Sequence, residues 1–228
     1  MKTITNFNKK YDEFTPNRFL GTENEKTRLI KTILKYIDFQ GLKYDLNSIK
    51  CIDVGSGNGE FSNAFKEIYP DAKFYNEDRL LTGIDFEKDK LPYDDNFFNI
   101  AFMISLVEHI LSPNLLMNEL KRVLKKGGVL IIITPNFKYC YRTFFNDPTH
   151  YKPYTDKSVR QLFVYSGFKR VSVDPFMVNK SNFYWKFKYK FQIAANLPFT
   201  NHDFQNIKFI PKLLRGKSTS IISSGIKI

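Results

Sequence analysis

The residues best placed to do chemistry are Asp53-Val54-Gly55-Ser56-Gly57-Asn58-Gly59, at the end of the apolar run Cys51–Ile52. Glycines at alternate positions permit positive φ angles and remove the Cβ atoms that would hold a ligand off the backbone. A helix opening near Glu60 would add unpaired N–H groups and partial positive charge, so the turn suits a nucleotide-like ligand or a carboxylate. The spacing is G-x-G-x-G, not the G-x-G-x-x-G of a dinucleotide fingerprint, and Asp53 lies two residues before the first glycine. Two acids, Glu77 and Asp78, follow a second strand-like run at Ala72–Asn76. A carboxylate at that strand end can accept both hydroxyls of a ribose. The two compete for this role, with a slight lean to Glu77.

In this setting Asp53–Gly59 resembles the first motif of class I S-adenosylmethionine-dependent methyltransferases. The resemblance implies a Rossmann-like, doubly wound α/β fold with a seven-stranded, mostly parallel sheet, and S-adenosyl-L-methionine as cofactor. It places Asp53, Gly55, Ser56, Gly57, Gly59, Glu77 and Asp78 around that cofactor. Thr82–Phe86 then reads as strand three, which puts Asp85 and Phe86 at the adenine. The helix usual between strands two and three has almost no room there. Leu91–Ile100 resembles the family's stretch leading into strand four, and Ile100–Ile104 delivers Ser105, Leu106, Val107, Glu108 and His109 to the active edge. Glu108-His109 resembles the family's Glu-His pair, and Leu124–Leu130 its glycine turn before strand five. In register, the resemblance covers about residues 50–134.

Further on, Asp147-Pro148-Thr149-His150-Tyr151-Lys152-Pro153-Tyr154-Thr155 resembles a stretch of methyltransferases among enzymes of polysaccharide and lipid-linked glycan biosynthesis. Methyl transfer from a sulfonium requires alignment of acceptor, methyl carbon and leaving sulfur. An oxygen acceptor must also lose a proton, which calls for a base. His150 can serve, with Asp147 orienting it or touching the substrate; a histidine that ties down the loop is the rival reading, of equal weight. For His109, an orienting hydrogen bond within the scaffold weighs as much as catalysis. His109, His150 and Asp147 have no metal-ligand spacing in the sequence, and no metal is expected.

Stepping outward from these residues, Thr22–Glu25 fits a capping box and Leu29, Ile30, Ile33, Leu34 and Ile37 fall on one helical face, with Gly41 closing the segment. Such a helix packs on a sheet; Arg18 and Phe19 before it are better read as surface and packing residues than as cofactor contacts. Phe61, Ala64, Phe65 and Ile68 give the next stripe. Ser112-Pro113 starts another helix with proline at its first position. Thr155 caps one carrying Val159, Leu162 and Phe163, and Phe168–Val173 reads as strand six. One domain is expected over 1–228: an N-terminal cap region at 1–45, a cofactor-binding core at 46–174, a basic aromatic insertion at 175–217 and a last strand at 218–228.

Composition bounds the rest. No run approaches the ~18 apolar residues of a membrane span, and residues 1–6 lack a signal peptide's apolar core. Cys51 and Cys140 show no metal spacing and read as small packing residues, so the cytoplasm is the default. The chain carries a formal charge of +12, all of it in residues 138–228, with 16 Lys+Arg against 4 Asp+Glu. This asymmetry points to an anionic partner. Within the insertion, Trp185–Phe191 alternates aromatic and basic residues, suited to a lid over the cleft or to peripheral contact with an anionic membrane. The leading expectation is a methyltransferase acting at oxygen on a sugar or lipid-linked saccharide. An RNA methyltransferase, or a methyltransferase-fold binding module without turnover, stands behind it. A dehydrogenase ranks last, because the glycine spacing differs from the dinucleotide fingerprint and no hydride-transfer motif accompanies it.

Overall fold

The computed structural model describes residues 23–39, 41, 44–46, 48–176 and 220–228. Thr22, Arg18, Phe19 and the insertion before the last strand, Trp185–Phe191 included, lie outside the described residues.

Six strands form one sheet. In chain order they are β1 (Lys50–Val54), β2 (Lys73–Glu77), β3 (Phe98–Ile104), β4 (Leu124–Pro135), β5 (Lys169–Phe176) and β6 (Ser220–Ile226). Their spatial order is β2-β1-β3-β4-β6-β5. The first four are parallel, and β6 runs antiparallel between β4 and β5. Chain direction across the sheet reverses at β1, which pairs with β2 on one side and β3 on the other. A crevice at such a switch point, beyond the carboxyl ends of the strands, is where open α/β sheets bind ligands.

The helices are α1 (Glu23–Phe39), α2 (Glu60–Ile68), α3 (Arg79–Thr82), α4 (Asn114–Val123), α5 (Phe137–Cys140) and α6 (Asp156–Tyr165). The parallel strands are apolar on both faces because both are covered. Cys51, Ile100, Phe102, Val129 and Ile131 pack with Leu29, Ile30 and Ile33 of α1 and Phe61 and Phe65 of α2. Ile52, Val54, Ala101, Met103 and Ile132 meet Leu116, Leu120 and Val123 of α4 and Val159 and Phe163 of α6 on the other face. The stripes read from the sequence are therefore the buried faces. Thr155 caps α6 with a capping box to Ser158. Tyr36 Oη donates to Asp174 Oδ2 at 3.1 Å, tying α1 to β5.

The expected strand at Thr82–Phe86 does not form, so the described sheet has six strands and not seven. A parallel neighbour needs a crossover of a dozen or more residues. Between Glu77 and Thr82 only the turn α3 fits, capped by Asp78 and closed by Gly83 at φ 76°. Asp85 then starts a tight turn, its amide bonded to Asp89 Oδ2 at 2.8 Å. Two boundaries also move. Pro113 is the N-cap of α4 and not its first helical residue, and β5 extends to Phe176, beyond the expected Val173. Both cysteines are free thiols, Cys51 buried and Cys140 partly so.

Candidate active site

The glycine turn leaves β1 directly at the switch point. Gly55, Gly57 and Gly59 adopt φ values of 74°, 51° and 75°, a region that other residues enter only with strain. The Gly55 and Ser56 amides donate to the Glu77 carbonyl at 2.8 and 3.2 Å, strapping the turn to the end of β2. The three glycines are needed for different reasons. A Cβ on Gly55 would stand 2.9 Å from the Leu106 side chain, and one on Gly59 2.8 Å from Asn76 Nδ2, whereas at Gly57 it would meet nothing within 4 Å. Packing requires the first and third, and the second borders open space.

Three carboxylates surround this turn in different environments. Asp53 is 2% exposed, and its Oδ2 has no hydrogen-bond partner among the described residues. Burial, and then the charge of Asp78, push its carboxyl up to about 7. Asp78 faces the turn: its Oδ2 accepts from the Gly57 amide at 3.0 Å and its Oδ1 from the Leu80 amide at 2.9 Å. Glu77 is buried and accepts from the Tyr93 hydroxyl, inside a group of rings with Tyr75, Phe97 and Phe98. Burial and that carboxylate raise the Tyr93 pKa.

Asp85 spends its oxygens locally. Oδ1 accepts from the Glu87 amide at 3.1 Å and Oδ2 from Lys88 Nζ at 2.8 Å, with Arg79 at 3.8 Å, and these partners hold its carboxyl below the usual range. Phe86 is a core residue, 7% exposed. Ser105 follows β3 with φ 48°, its amide donating to the Ile133 carbonyl at 2.8 Å. This bend carries Leu106 over Gly55 and leads into the 3-10 turn Val107–His109.

A second group of polar side chains assembles from that turn and the 144–154 loop. Asp147 Oδ1 accepts from the amide and the hydroxyl of Thr149, at 3.0 and 2.7 Å. His109 Nδ1 lies 3.0 Å from the Thr149 carbonyl and 2.9 Å from its hydroxyl. His150 Nδ1 lies 2.7 Å from the Phe144 carbonyl, and its Nε2 is 3.4 Å from Asp147 Oδ2. The two imidazoles are 4.7 Å apart between ring centres. Glu108 is buried, with Oε2 accepting from Thr134 Oγ1 at 2.9 Å, and its carbonyl accepts from the Tyr151 and Lys152 amides at 2.9 and 3.0 Å.

So His109, Asp147 and His150, separated by up to 41 residues, come together as one cluster. Two members of the site are not singled out by the sequence. Thr149 bridges Asp147 to His109, and its place inside the Asp-x-Thr-His string is the available signal. Asn76 donates to Ser62 Oγ at 2.9 Å and crowds Gly59, a role that comes from the proximity of β2 to α2. Leu106, expected at the active edge, roofs Gly55.

The family model described as a methyltransferase domain matches residues 23–173, most of the chain. The chain belongs to this methyltransferase family. This methyltransferase is 28% identical over 192 residues to the uncharacterized protein MJ0638 of Methanocaldococcus jannaschii, covering 75% of this chain and 77% of that one. Its fold is similar to that of a SAM-dependent methyltransferase from Archaeoglobus fulgidus, with TM-score 0.61 and 17% identity over 95% of this chain and 99% of the other. It is also similar to phosphoethanolamine N-methyltransferase 2 of Haemonchus contortus, solved in complex with S-adenosyl-L-methionine. That match has TM-score 0.54 and 14% identity over 92% of this chain and 58% of the other. The methyltransferase uses S-adenosyl-L-methionine as its methyl donor. Its residues fit that group: Asp53 carries a buried carboxylate oxygen without a hydrogen-bond partner among the described residues, and the Gly57 position is open for close approach. No helix among the described residues is long and apolar enough to cross a membrane.

Proposed function

We propose that this methyltransferase transfers a methyl group to an oxygen of a sugar or lipid-linked saccharide, with the cluster at His109, Asp147 and His150 facing the acceptor. One observation carries the reading. The glycine turn with its buried, unpartnered Asp53 oxygen and the His109–Asp147–His150 cluster are joined through the Ser105–His109 bend, whose Leu106 packs on Gly55. Donor and acceptor chemistry thus share one sheet edge. Support for a saccharide comes from the Asp147–Thr155 stretch and its resemblance, and support for an anionic acceptor, or one at an anionic membrane surface, from the +12 charge. We place the protein in the cytoplasm, peripheral to the inner face of that membrane.

The bound donor supplies an activated methyl group. Asp53 receives the ammonium of its amino-acid part, the best partner for a buried carboxylate. Asp78 would receive the ribose hydroxyls in preference to Glu77, because Asp78 lies against the glycine turn while Glu77 is 3% exposed, with Oε1 accepting from Tyr93. The turn at Asp85–Phe86, linked to α3 through Arg79, borders the adenine. Ser56, Ser105 and the three glycines shape the walls. On the acceptor side, the hydroxyl oxygen would form the new bond to the methyl carbon as the carbon–sulfur bond breaks and S-adenosylhomocysteine is released, and the hydroxyl proton would pass to the His109–His150 cluster.

The test is calorimetric titration with S-adenosylhomocysteine, followed by transfer of labelled methyl to lipid-linked saccharides and, separately, to RNA. Replacing His150 by alanine is expected to leave product binding within about twofold and to lower turnover by roughly 100-fold, the contribution of a general base. Label entering RNA, with an affinity that falls steeply as salt rises, would replace the saccharide reading. Binding without transfer to any acceptor would mark a module without turnover.

A further inference from the structure

The acceptor-side cluster has a geometry that hydrogen bonding within a scaffold does not require. One ring nitrogen each of His109 and His150 and a carboxylate oxygen of Glu108 lie within 4.8 Å of one another. Both rings are held in the same way: Nδ1 of His109 sits 3.0 Å from the Thr149 carbonyl, and Nδ1 of His150 sits 2.7 Å from the Phe144 carbonyl. A carbonyl only accepts, so the proton is assigned to each Nδ1, which leaves each Nε2 as the nitrogen with a lone pair to offer a ligand. Histidines that ligate metals are oriented in this way, donating the second N–H to a carbonyl or carboxylate. Glu108 is fixed as well, its Oε2 accepting from Thr134. Asp147 Oδ2 stands 3.4 Å from His150 Nε2, adding a second negative charge beside the cluster.

We propose that Glu108, His109 and His150 bind a divalent transition-metal cation on the acceptor side of the site. Two imidazoles and one carboxylate suit zinc, manganese, iron or cobalt in the divalent state, and make a poor set for magnesium or calcium. Bonds of about 2.0–2.2 Å set ligand atoms roughly 3–3.5 Å apart, so side-chain rotations of about 1–2 Å would draw in these atoms, which lie within 4.8 Å of one another. Three protein ligands leave coordination positions open, which an acceptor oxygen could fill. With such an ion bound, His109 and His150 would serve as its ligands in place of the base, and the ion, by polarising an oxygen bound to it, would ease loss of the acceptor's proton to solvent. The assignment deepens the reading of this edge as the acceptor side and rests on it. It also accounts for a pair of histidines whose Nδ1 atoms are both committed to the backbone.

The experiment uses the full chain, stripped with a chelator and dialysed. Cobalt(II) is titrated in while visible d–d absorption is recorded, zinc is titrated by calorimetry, and S-adenosylhomocysteine binding is measured in parallel. The expected result is one ion per chain with an absorption band of low coordination number. Binding should be lost in His109→Ala and His150→Ala and weakened by about 10- to 100-fold in Thr134→Ala, which removes only the support of Glu108. All three variants should keep their affinity for S-adenosylhomocysteine, which shows that they fold. Absence of binding by the wild type, or equal binding by both histidine variants, overturns the proposal. A wild type that binds the ion but not S-adenosylhomocysteine would leave the metal site standing and remove the donor-site assignment, so the two failures are distinguishable.

Discussion

At the residue scale, Asp53 links donor binding to pH. An unfolded aspartate titrates near ~3.9, and in the fold this one is pushed up to about 7, by burial first and Asp78 second. The folded chain therefore holds the proton more tightly. The stability this gives is fully present below ~3.9 and is lost as pH rises through about 7. A ligand ammonium selects the ionised form, so affinity for S-adenosylhomocysteine should climb between about pH 6 and pH 8 as less proton has to be displaced. Calorimetry in buffers of different ionisation enthalpy should show proton release on binding at the acid end. In Asp53→Asn the pH slope should disappear and affinity fall by roughly 10- to 150-fold, the worth of a charge-assisted hydrogen bond. The glycines separate binding from folding in a similar way. Gly57→Ala, with nothing near its Cβ, should abolish donor binding while lowering Tm by only about 2–8 °C, the effect of ~1–2 kcal/mol of left-handed strain. Gly55→Ala, 2.9 Å from Leu106, should lose soluble expression before its binding can be measured. The type and place of these residues were legible because a glycine pattern is a local property. The different environments of Glu77 and Asp78 were not legible, since they depend on Tyr93 reaching Glu77 from 16 residues away.

At the element scale, the segment that leads into β3 is tied to α4 by Arg122 and Glu119. Arg122 donates to Glu119 and Asp95 and to the carbonyls of Tyr93 and Leu91, at 2.7 to 3.0 Å. That segment carries the Tyr93 that engages Glu77. Arg122→Met keeps much of the stem's packing and removes every one of these bonds, including those to buried carbonyls. We expect a loss of about 2–3 kcal/mol, or roughly 4–12 °C in Tm by scanning calorimetry, with donor affinity reduced as Glu77 and Asp78 loosen together. The buried faces of α1, α2, α4 and α6 were legible from helical periodicity alone. The strand expected at Thr82–Phe86 was not absent from the pattern of residue types; the chain before it is too short to cross over, and Asp78 and Gly83 close a helical turn first. Local pattern yields to connection length there.

At the scale of the whole molecule, charge is the property that bears on partners. All of the net +12 arises beyond residue 137, and the donor side is balanced. Acceptor binding should therefore weaken with ionic strength while S-adenosylhomocysteine binding stays within about twofold between low and physiological salt, because the screening length shortens from ~30 to ~8 Å. Titration of each ligand at two salt concentrations checks this. Equal salt dependence for both ligands would place the basic excess away from the acceptor path.

The position of β6 has a consequence for biosynthesis. This strand, the last along the chain, pairs with β4 from Val129 to Pro135 on one side and with β5 on the other, and Ser223 donates to the Ile132 carbonyl across 91 residues of sequence. While the ribosome is still making the preceding residues, β4 and β5 each present a row of unpaired backbone groups, which readily pair with other chains. The sheet can close only after residue 226 has left the exit tunnel, and the closing strand has to enter between two others. Nascent chains should depend on chaperones that shield strand edges until that moment, and a stop codon before Ser220 should yield aggregate rather than a smaller, active enzyme.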